Sequence, residues 1–241
     1  MCTVTIIPKG INDFVLTSNR DEAPNRTSTK PDIYTVNGVK LLFPKDEISG
    51  GTWIGVSEKN RLVCVLNGGF DLHERKMYYR ESRGVVAKNF LVANDTEKIT
   101  ETYDFTDIEP FTMVIADWST SLKFCELVWD GMQKYFNRLP LVTKIWSSST
   151  LYTPLMKTER QHWFEDFEAN NELKATSLLR FHKTAGTGNE DYGVIMDRGF
   201  VKTTSITQVE KTDNVITMHY ENLQNNKVSD AEFLLHQSVN E

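Results

Sequence analysis

Through the first third of the chain, apolar and polar residues alternate with a period of two, and the interruptions are readable as turns. Cys2 to Ile7 and Asp13 to Asn19 read as strands joined through Pro8-Lys9-Gly10, where proline and glycine supply the turn. Ile33 to Val36 and Lys40 to Phe43 flank Asn37-Gly38, a strong hairpin signal because both central residues of a type I′ turn need positive φ. Trp53 to Ser57 and Leu62 to Leu66 form a third pair about Glu58-Lys59-Asn60. This part of the chain is expected to be a run of antiparallel hairpins.

The period then changes. Ser82 can cap a helix running to about Ala93, with Val85, Val86, Phe90 and Leu91 on one face, and a short polar helix is expected near Glu97 to Tyr103. Strands return at Phe111 to Asp117, Leu122 to Trp129 and Gln133 to Leu139, the last two joined through Asp130-Gly131. Thr153-Pro154 pairs a cap with proline at the first helical position, which predicts a helix to about Asn170 with Leu155, Met156, Trp163, Phe164 and Phe167 as its buried stripe. A weaker helix over Ala175 to His182 and strands at Gly193 to Asp197, Val201 to Val209 and Val215 to Tyr220 complete the reading. Strands, helices, strands and helices in that order suggest two packed antiparallel sheets with helices outside, an α+β fold.

Composition changes this picture little. The 241 residues are 39% hydrophobic and 25% charged, ordinary globular usage, and without repeat or linker they read as one domain over 1–241. A net charge of -6 with no long basic run argues against nucleic acid as a partner. The opening MCTVTIIPKG lacks the pattern of a signal peptide, and nowhere do about 18 apolar residues run together, so a cytoplasmic protein without a membrane-spanning segment is expected. Three cysteines without a CxxC pair fit a reducing compartment and offer neither a disulfide framework nor a structural zinc site.

Position singles out Cys2. A small second residue is the usual condition for removal of the initiator methionine, which would give Cys2 a free α-amine beside its own thiol. The amine titrates at about 8 and the thiol at about 8.5, so one residue can serve as nucleophile and base. With the first turn near Gly10, residues whose numbers sum to about 20 to 22 face each other, and Cys2 meets Ser18-Asn19-Arg20, with Asp21 next along. Arg20 can hold the thiolate or a substrate carboxylate, and Asp21 can orient the amine. In the third hairpin a sum of about 119 sets Asn67 opposite Thr52. The Asn67 amide and the backbone N–H groups of Gly68-Gly69 are the donors an oxyanion hole needs.

The opening Met1-Cys2-Thr3, the tetrad Asn19-Arg20-Asp21-Glu22, the stretch Gly50-Gly51-Thr52-Trp53-Ile54-Gly55 and the triplet Ser82-Arg83-Gly84 together resemble the NRDE family, also called the transport and Golgi organisation family. The resemblance is strong to about residue 90 and weaker beyond, where Trp146 to Tyr152 stands in place of another family segment. It implies a four-layer αββα sandwich of the N-terminal-nucleophile hydrolase type. Penicillin V acylases and bile salt hydrolases are similar at the site, which implies catalytic roles for Cys2, Arg20, Asp21 and Asn67 and substrate contacts from Asn19, Thr52 and Ser148. Ser148 falls where those enzymes use a second asparagine, and their late arginine has no match here. Asp46 and Trp53 fit the family pattern without an assigned chemical role.

The five histidines lack metal-ligand spacing, Cys64 and Cys125 sit inside apolar strands as small hydrophobes, and Gly186-Thr187-Gly188 reads as a loop. The expectation is therefore a cysteine amidohydrolase acting on a small acyl or amide compound without metal or organic cofactor. The alternative is a binding or trafficking protein that uses the same pocket to hold haem or a lipid-like acyl ligand.

Overall fold

The computed structural model describes residues 2–234, with Cys2 described by its backbone alone. Two antiparallel sheets face each other. The first has six strands: β1 (Cys2–Lys9), β2 (Asp13–Glu22), β10 (Lys144–Ser147), β11 (Lys202–Thr212), β12 (Val215–Asn222) and β13 (Lys227–Leu234), in the order β10-β1-β2-β11-β12-β13. The second is a meander of seven, each pairing with the next: β3 (Asp32–Val36), β4 (Val39–Phe43), β5 (Ile54–Ser57), β6 (Arg61–Asn67), β7 (Phe111–Asp117), β8 (Lys123–Trp129) and β9 (Lys134–Leu139).

Alternation along the strands decides which layer each residue joins. Val4, Ile6, Phe14 and Leu16 of the first sheet meet Val56, Leu62, Leu66 and Val114 of the second in one core between the sheets. Residues of opposite parity face outward onto helices. Val63 and Val65 pack with Val86, Phe90 and Leu91 of α1 (Arg83–Val92), and Ile7 and Val15 pack with Phe164 of α3 (Pro154–Asn170) and Leu178 and Phe181 of α4 (Ala175–Thr184). The short α2 (Thr96–Thr102) follows α1. The layering is α, β, β, α, as the resemblance implies.

Local signals hold where they rest on backbone chemistry. Ser82 and Thr153 accept from the N–H groups of Val85 and Met156 (both 3.3 Å), capping α1 and α3. Asn37 and Gly38 have φ of 50° and 79°. Three expectations need correction. Gly193 to Asp197 is a loop with one isolated bridge, and the strands β10 and β13 were not expected. Leu155 is 77% exposed, because nine residues at about 100° each set it opposite Phe164 on the helix, whereas Arg160 shares the Phe164 face and is fully buried. The third hairpin pairs Ile54 with Cys64 and Gly55 with Val63, a sum one short of that expected, and the ladder stops there. Gly51 rather than Thr52 is then level with Asn67, and neither is paired to it.

Candidate active site

Where β5 and β6 part, a cavity of about 590 Å³ opens at one end of the sandwich. Arg20 and Glu22 of β2, Trp53 and Asn67 from the ends of β5 and β6, and Ser82 to Gly84 at the start of α1 all line it. The Cα position of Cys2 is paired with Arg20 across β1 and β2, as the hairpin arithmetic predicts. Arg20 is 3% exposed, and its charge is compensated on two sides. Its Nη2 donates to Asp46 Oδ2 (2.6 Å), its Nη1 to the Arg26 carbonyl (3.1 Å) and to Thr204 Oγ1 (3.3 Å), and its guanidinium lies 4.6 Å from the centroid of the Trp53 ring. Asp46 Oδ2 also accepts from Arg26 Nε (2.7 Å), while Oδ1 takes the Ser49 N–H and hydroxyl (2.8 and 2.9 Å). Burial works against the Asp46 charge, yet the hydrogen bonds from Arg26 and Ser49 outweigh it and hold the carboxyl below its ordinary range. Asp46 and Trp53 thus have a role: they clamp Arg20.

Asn67 sits on the cavity wall with its backbone braced from behind. Its carbonyl accepts from Ser148 Oγ (2.7 Å), and the Gly69 carbonyl from Ser149 Oγ (2.5 Å). Gly68 has φ of 86°, a conformation that suits glycine, and a Cβ there would lie 2.5 Å from Ser149 Oγ. Its N–H donates to the Pro110 carbonyl (2.9 Å), so it is not the spare donor the sequence suggests. Ser148 and Thr52 are also committed. The Thr52 hydroxyl donates to the Pro44 and Ile54 carbonyls (2.8 and 2.7 Å), and Ser148 is absent from the cavity lining. Among the expected donors, Asn67 lines the cavity, and its side-chain amide has no hydrogen bond among the described residues.

A family model for Transport and Golgi organisation 2 matches residues 1–229. The chain belongs to that family. No curated protein matches it by sequence. Among solved structures, a variant of conjugated bile acid hydrolase from Clostridium perfringens superimposes with a TM-score of 0.61 at 10% identity, covering 96% of this chain and 92% of that one. A second variant of that enzyme gives the same TM-score and identity over 97% and 92%. Penicillin V acylase from Agrobacterium tumefaciens follows at 0.56 and 9%, covering 96% and 86%. At these identities the likeness establishes the fold, that of the N-terminal-nucleophile hydrolases.

The family motifs of the chain divide between the two faces of the first sheet. In the tetrad, Arg20 and Glu22 line the cavity, while Asn19 and Asp21 belong to the opposite parity and enter the helical side. Asn19 Nδ2 donates to the carbonyls of His182 (2.9 Å) and Val194 (2.6 Å). Its Oδ1 lies 2.5 Å from His182 Nδ1, which must therefore carry the proton, leaving Nε2 to accept from Thr5 Oγ1 at 2.7 Å. Every polar atom of the Asn19 amide is thereby occupied away from the cavity. Asp21 is fully buried and takes hydroxyl donors from Tyr152 (2.7 Å) and Thr203 (2.8 Å). Burial pushes its carboxyl above the ordinary range, against the nearby Arg160 charge and these donors. Of the four residues expected to share one pocket, Cys2, Arg20, Asp21 and Asn67, the structure sets Arg20 and Asn67 on one cavity and Asp21 away from it, while the Cys2 sulfur lies outside the described residues.

The glycines of two motifs interlock. A Cβ on Gly51 would lie 2.7 Å from the Gly84 carbonyl carbon, and one on Gly84 would lie 2.9 Å from the Thr52 nitrogen. This close backbone approach sets the start of α1 against the cavity, joined by Thr52 N–H donating to the Gly84 carbonyl (3.3 Å). Cys64 and Cys125 are buried in the strands, and burial pushes the Cys125 thiol up to about 11. Among the described residues no group of three or more His, Cys, Asp or Glu is placed to hold a metal ion, and no helix is long and apolar enough to cross a membrane.

Sequence reasoning missed most of the charged groups around Arg20 and Asp21, and gave Arg83 only as part of a motif without a chemical role. Arg26, Arg83 and Glu109 reach the cavity from loops and a helix start, and Arg160 is fully buried with its guanidinium 3.9 Å from the centroid of the Tyr152 ring, Nη1 donating to Ser147 Oγ (3.3 Å) and Nη2 to the Gly193 carbonyl (3.1 Å). An arginine on a helix reads as solvent-facing from sequence, and only the Phe164 parity hints otherwise.

Proposed function

We propose that this chain is a cytoplasmic cysteine amidohydrolase for a small acyl or amide compound, with Cys2 as nucleophile once Met1 is removed. The observation that carries the reading is the meeting of Arg20 and Asn67 on one cavity, with Arg20 paired to the Cys2 backbone position inside an N-terminal-nucleophile fold. The thiol adds to the amide carbonyl, and the α-amine accepts its proton. The Asn67 amide stabilises the oxyanion, and the C–N bond breaks as the proton passes to the departing amine. Water then cleaves the thioester, releasing the carboxylic acid and restoring the thiol. Arg20 supports the nucleophile or a substrate carboxylate, and Asp21 acts from behind the sheet on the amine end of the strand. Thr52 and Ser148 contribute by bracing the walls, and Asn19 by tying β2 to His182 and Val194 on the other side of the sheet.

One observation favours the second reading, a binding or trafficking protein for haem or an acyl lipid. The Gly68 N–H and the Thr52 and Ser148 hydroxyls are bonded elsewhere, so that of the side-chain groups expected to serve an oxyanion, among the described residues, the Asn67 amide alone is left where acyl transfer is best served by several. A single experiment separates the two. Intact mass is measured for protein from its native host, alone and with N-acyl amides and acyl thioesters, for wild type and Cys2→Ala, with haem binding alongside. The amidase reading expects loss of Met1 and an acyl adduct and turnover in wild type only. Retained Met1, or equal ligand binding by both proteins with neither adduct nor turnover, overturns it in favour of the carrier.

A further inference from the structure

The charges on the cavity wall do not balance locally. Arg20, Arg26, Arg75 and Arg83 face Glu22, Asp46 and Glu109, four cations against three carboxylates. Lys76 and Glu81 add one charge of each sign and leave the excess unchanged. The three carboxylates are already shared. Asp46 serves both Arg20 and Arg26, Glu22 lies 3.3 Å from Arg26, and Glu109 lies 3.1 Å from Arg83, 3.8 Å from Arg75 and 3.5 Å from His73 Nε2.

Arg83 is the group most at odds with its place. It is the first residue of α1, whose first turn contains no acidic residue. A helix start carries partial positive charge, so a guanidinium there opposes the backbone dipole where a carboxylate is normally favoured. The N–H groups of Arg83 and Gly84 also precede the first donors that the cap takes up, those of Val85 and Val86 to Ser82. Burial pushes the Arg83 pKa down, countered by Glu109 and Glu22, and the charges of Arg75 and Arg26 push it further. A recessed cluster with excess positive charge, fork-shaped donors and an open helix start suits an anion.

We infer that the cavity takes a ligand bearing an anionic group, a carboxylate or a phosphate, held by Arg83 and Arg26 at the first turn of α1. The inference deepens the amidase reading by naming a substrate class, an anionic amide, and rests on that reading only for which cavity the substrate enters. Binding can therefore be tested without turnover.

The experiment follows thermal unfolding of the full chain with inorganic phosphate, hexanoate or hexanamide, at ionic strength fixed with chloride. The wild type and the variants Arg83→Gln, Arg26→Gln and Arg138→Gln, the last on the exposed face of β9, are compared. The expected result is a dose-dependent rise in Tm with phosphate or hexanoate but not hexanamide. That rise is unchanged in Arg138→Gln, reduced in Arg26→Gln and lost in Arg83→Gln. The ligand-induced shift is the readout, so a lower starting Tm in a variant does not obscure it. If Arg83→Gln fails to fold, Arg26→Gln decides by the same criterion. The phosphate and hexanoate arms show which anion is preferred. No rise in wild type, an equal rise with hexanamide, or equal rises in wild type and both cavity variants would overturn the inference. An anion shift without turnover on any amide removes the amidase reading and leaves the anion site standing.

Discussion

Arg20 and Asp21 are neighbours in the chain, yet the period of the strand sends them to opposite sides of a sheet, where they meet different physics. Arg20 enters a polar cavity, where Asp46 at 2.6 Å and the face of Trp53 hold its guanidinium in place. Asp21 enters a closed layer, where burial raises its carboxyl and Tyr152 and Thr203 supply the donors that water would otherwise provide. Asn67 shows how a side chain is left available: its backbone oxygen is tied down by Ser148 while its amide keeps no partner among the described residues. If that amide meets charge that develops only in the transition state, Asn67→Ala lowers kcat by about 10²-fold or more with little change in KM. Steady-state kinetics on a turned-over amide provide the check, and a change confined to KM would assign Asn67 to ground-state binding.

At the scale of elements, the position of α1 is set from both ends. At its start, Gly84 passes so close to Gly51 and Thr52 that no Cβ fits against this backbone. Gly84→Ala should therefore push the helix start off the cavity, lowering stability by about 1–3 kcal/mol as overpacking does, with loss of ligand binding beyond what stability explains. Denaturant unfolding beside ligand titration measures both. At its end, Arg61 is fully buried, bonding Asp117 with Nε (3.0 Å) and the Phe90 and Ala93 carbonyls with Nη1 (2.8 and 2.9 Å). Removing one partner of a buried ion pair strands the other, so Arg61→Ala should cost about 3–5 kcal/mol, read as a fall in denaturant midpoint. A cost under about 1 kcal/mol would mean that water replaces the guanidinium there.

For the whole molecule, the helical layer over the first sheet encloses His182, fully buried between Thr5 and Asn19, and burial lowers its pKa to about 3, with the Arg160 charge adding to the effect. The unfolded chain takes up that proton near the ordinary histidine value of 6.5, whereas the folded chain does not. The unfolded state then binds more protons between these values, so stability falls as pH drops through this window, by about 1.4 kcal/mol per pH unit from this group. Urea unfolding from pH 7 to 4 should show that slope, and His182→Gln should flatten it; an unchanged slope would place the acid sensitivity elsewhere. The first hairpin, its register to Arg20, the caps of α1 and α3 and the sheet-and-helix layering were legible from sequence, because each rests on interactions within a few residues or on the strict alternation of a strand. The family motifs extended that to the cavity residue Arg20, and the third hairpin with the likeness to penicillin V acylases and bile salt hydrolases extended it to Asn67. The separation of Asn19 and Asp21 from the cavity was implicit in the same alternation but hidden by their adjacency to Arg20. Other features depend on contacts across long stretches of chain: β10 and β13 as edge strands, Arg160 buried against Tyr152, and Glu109 shared by the cavity arginines. The chain alone therefore determined where the strands and caps lie and which face of its strand each residue takes. Only the tertiary structure decided which of them share a cavity, because burial and charge compensation are set by partners that local sequence does not contain.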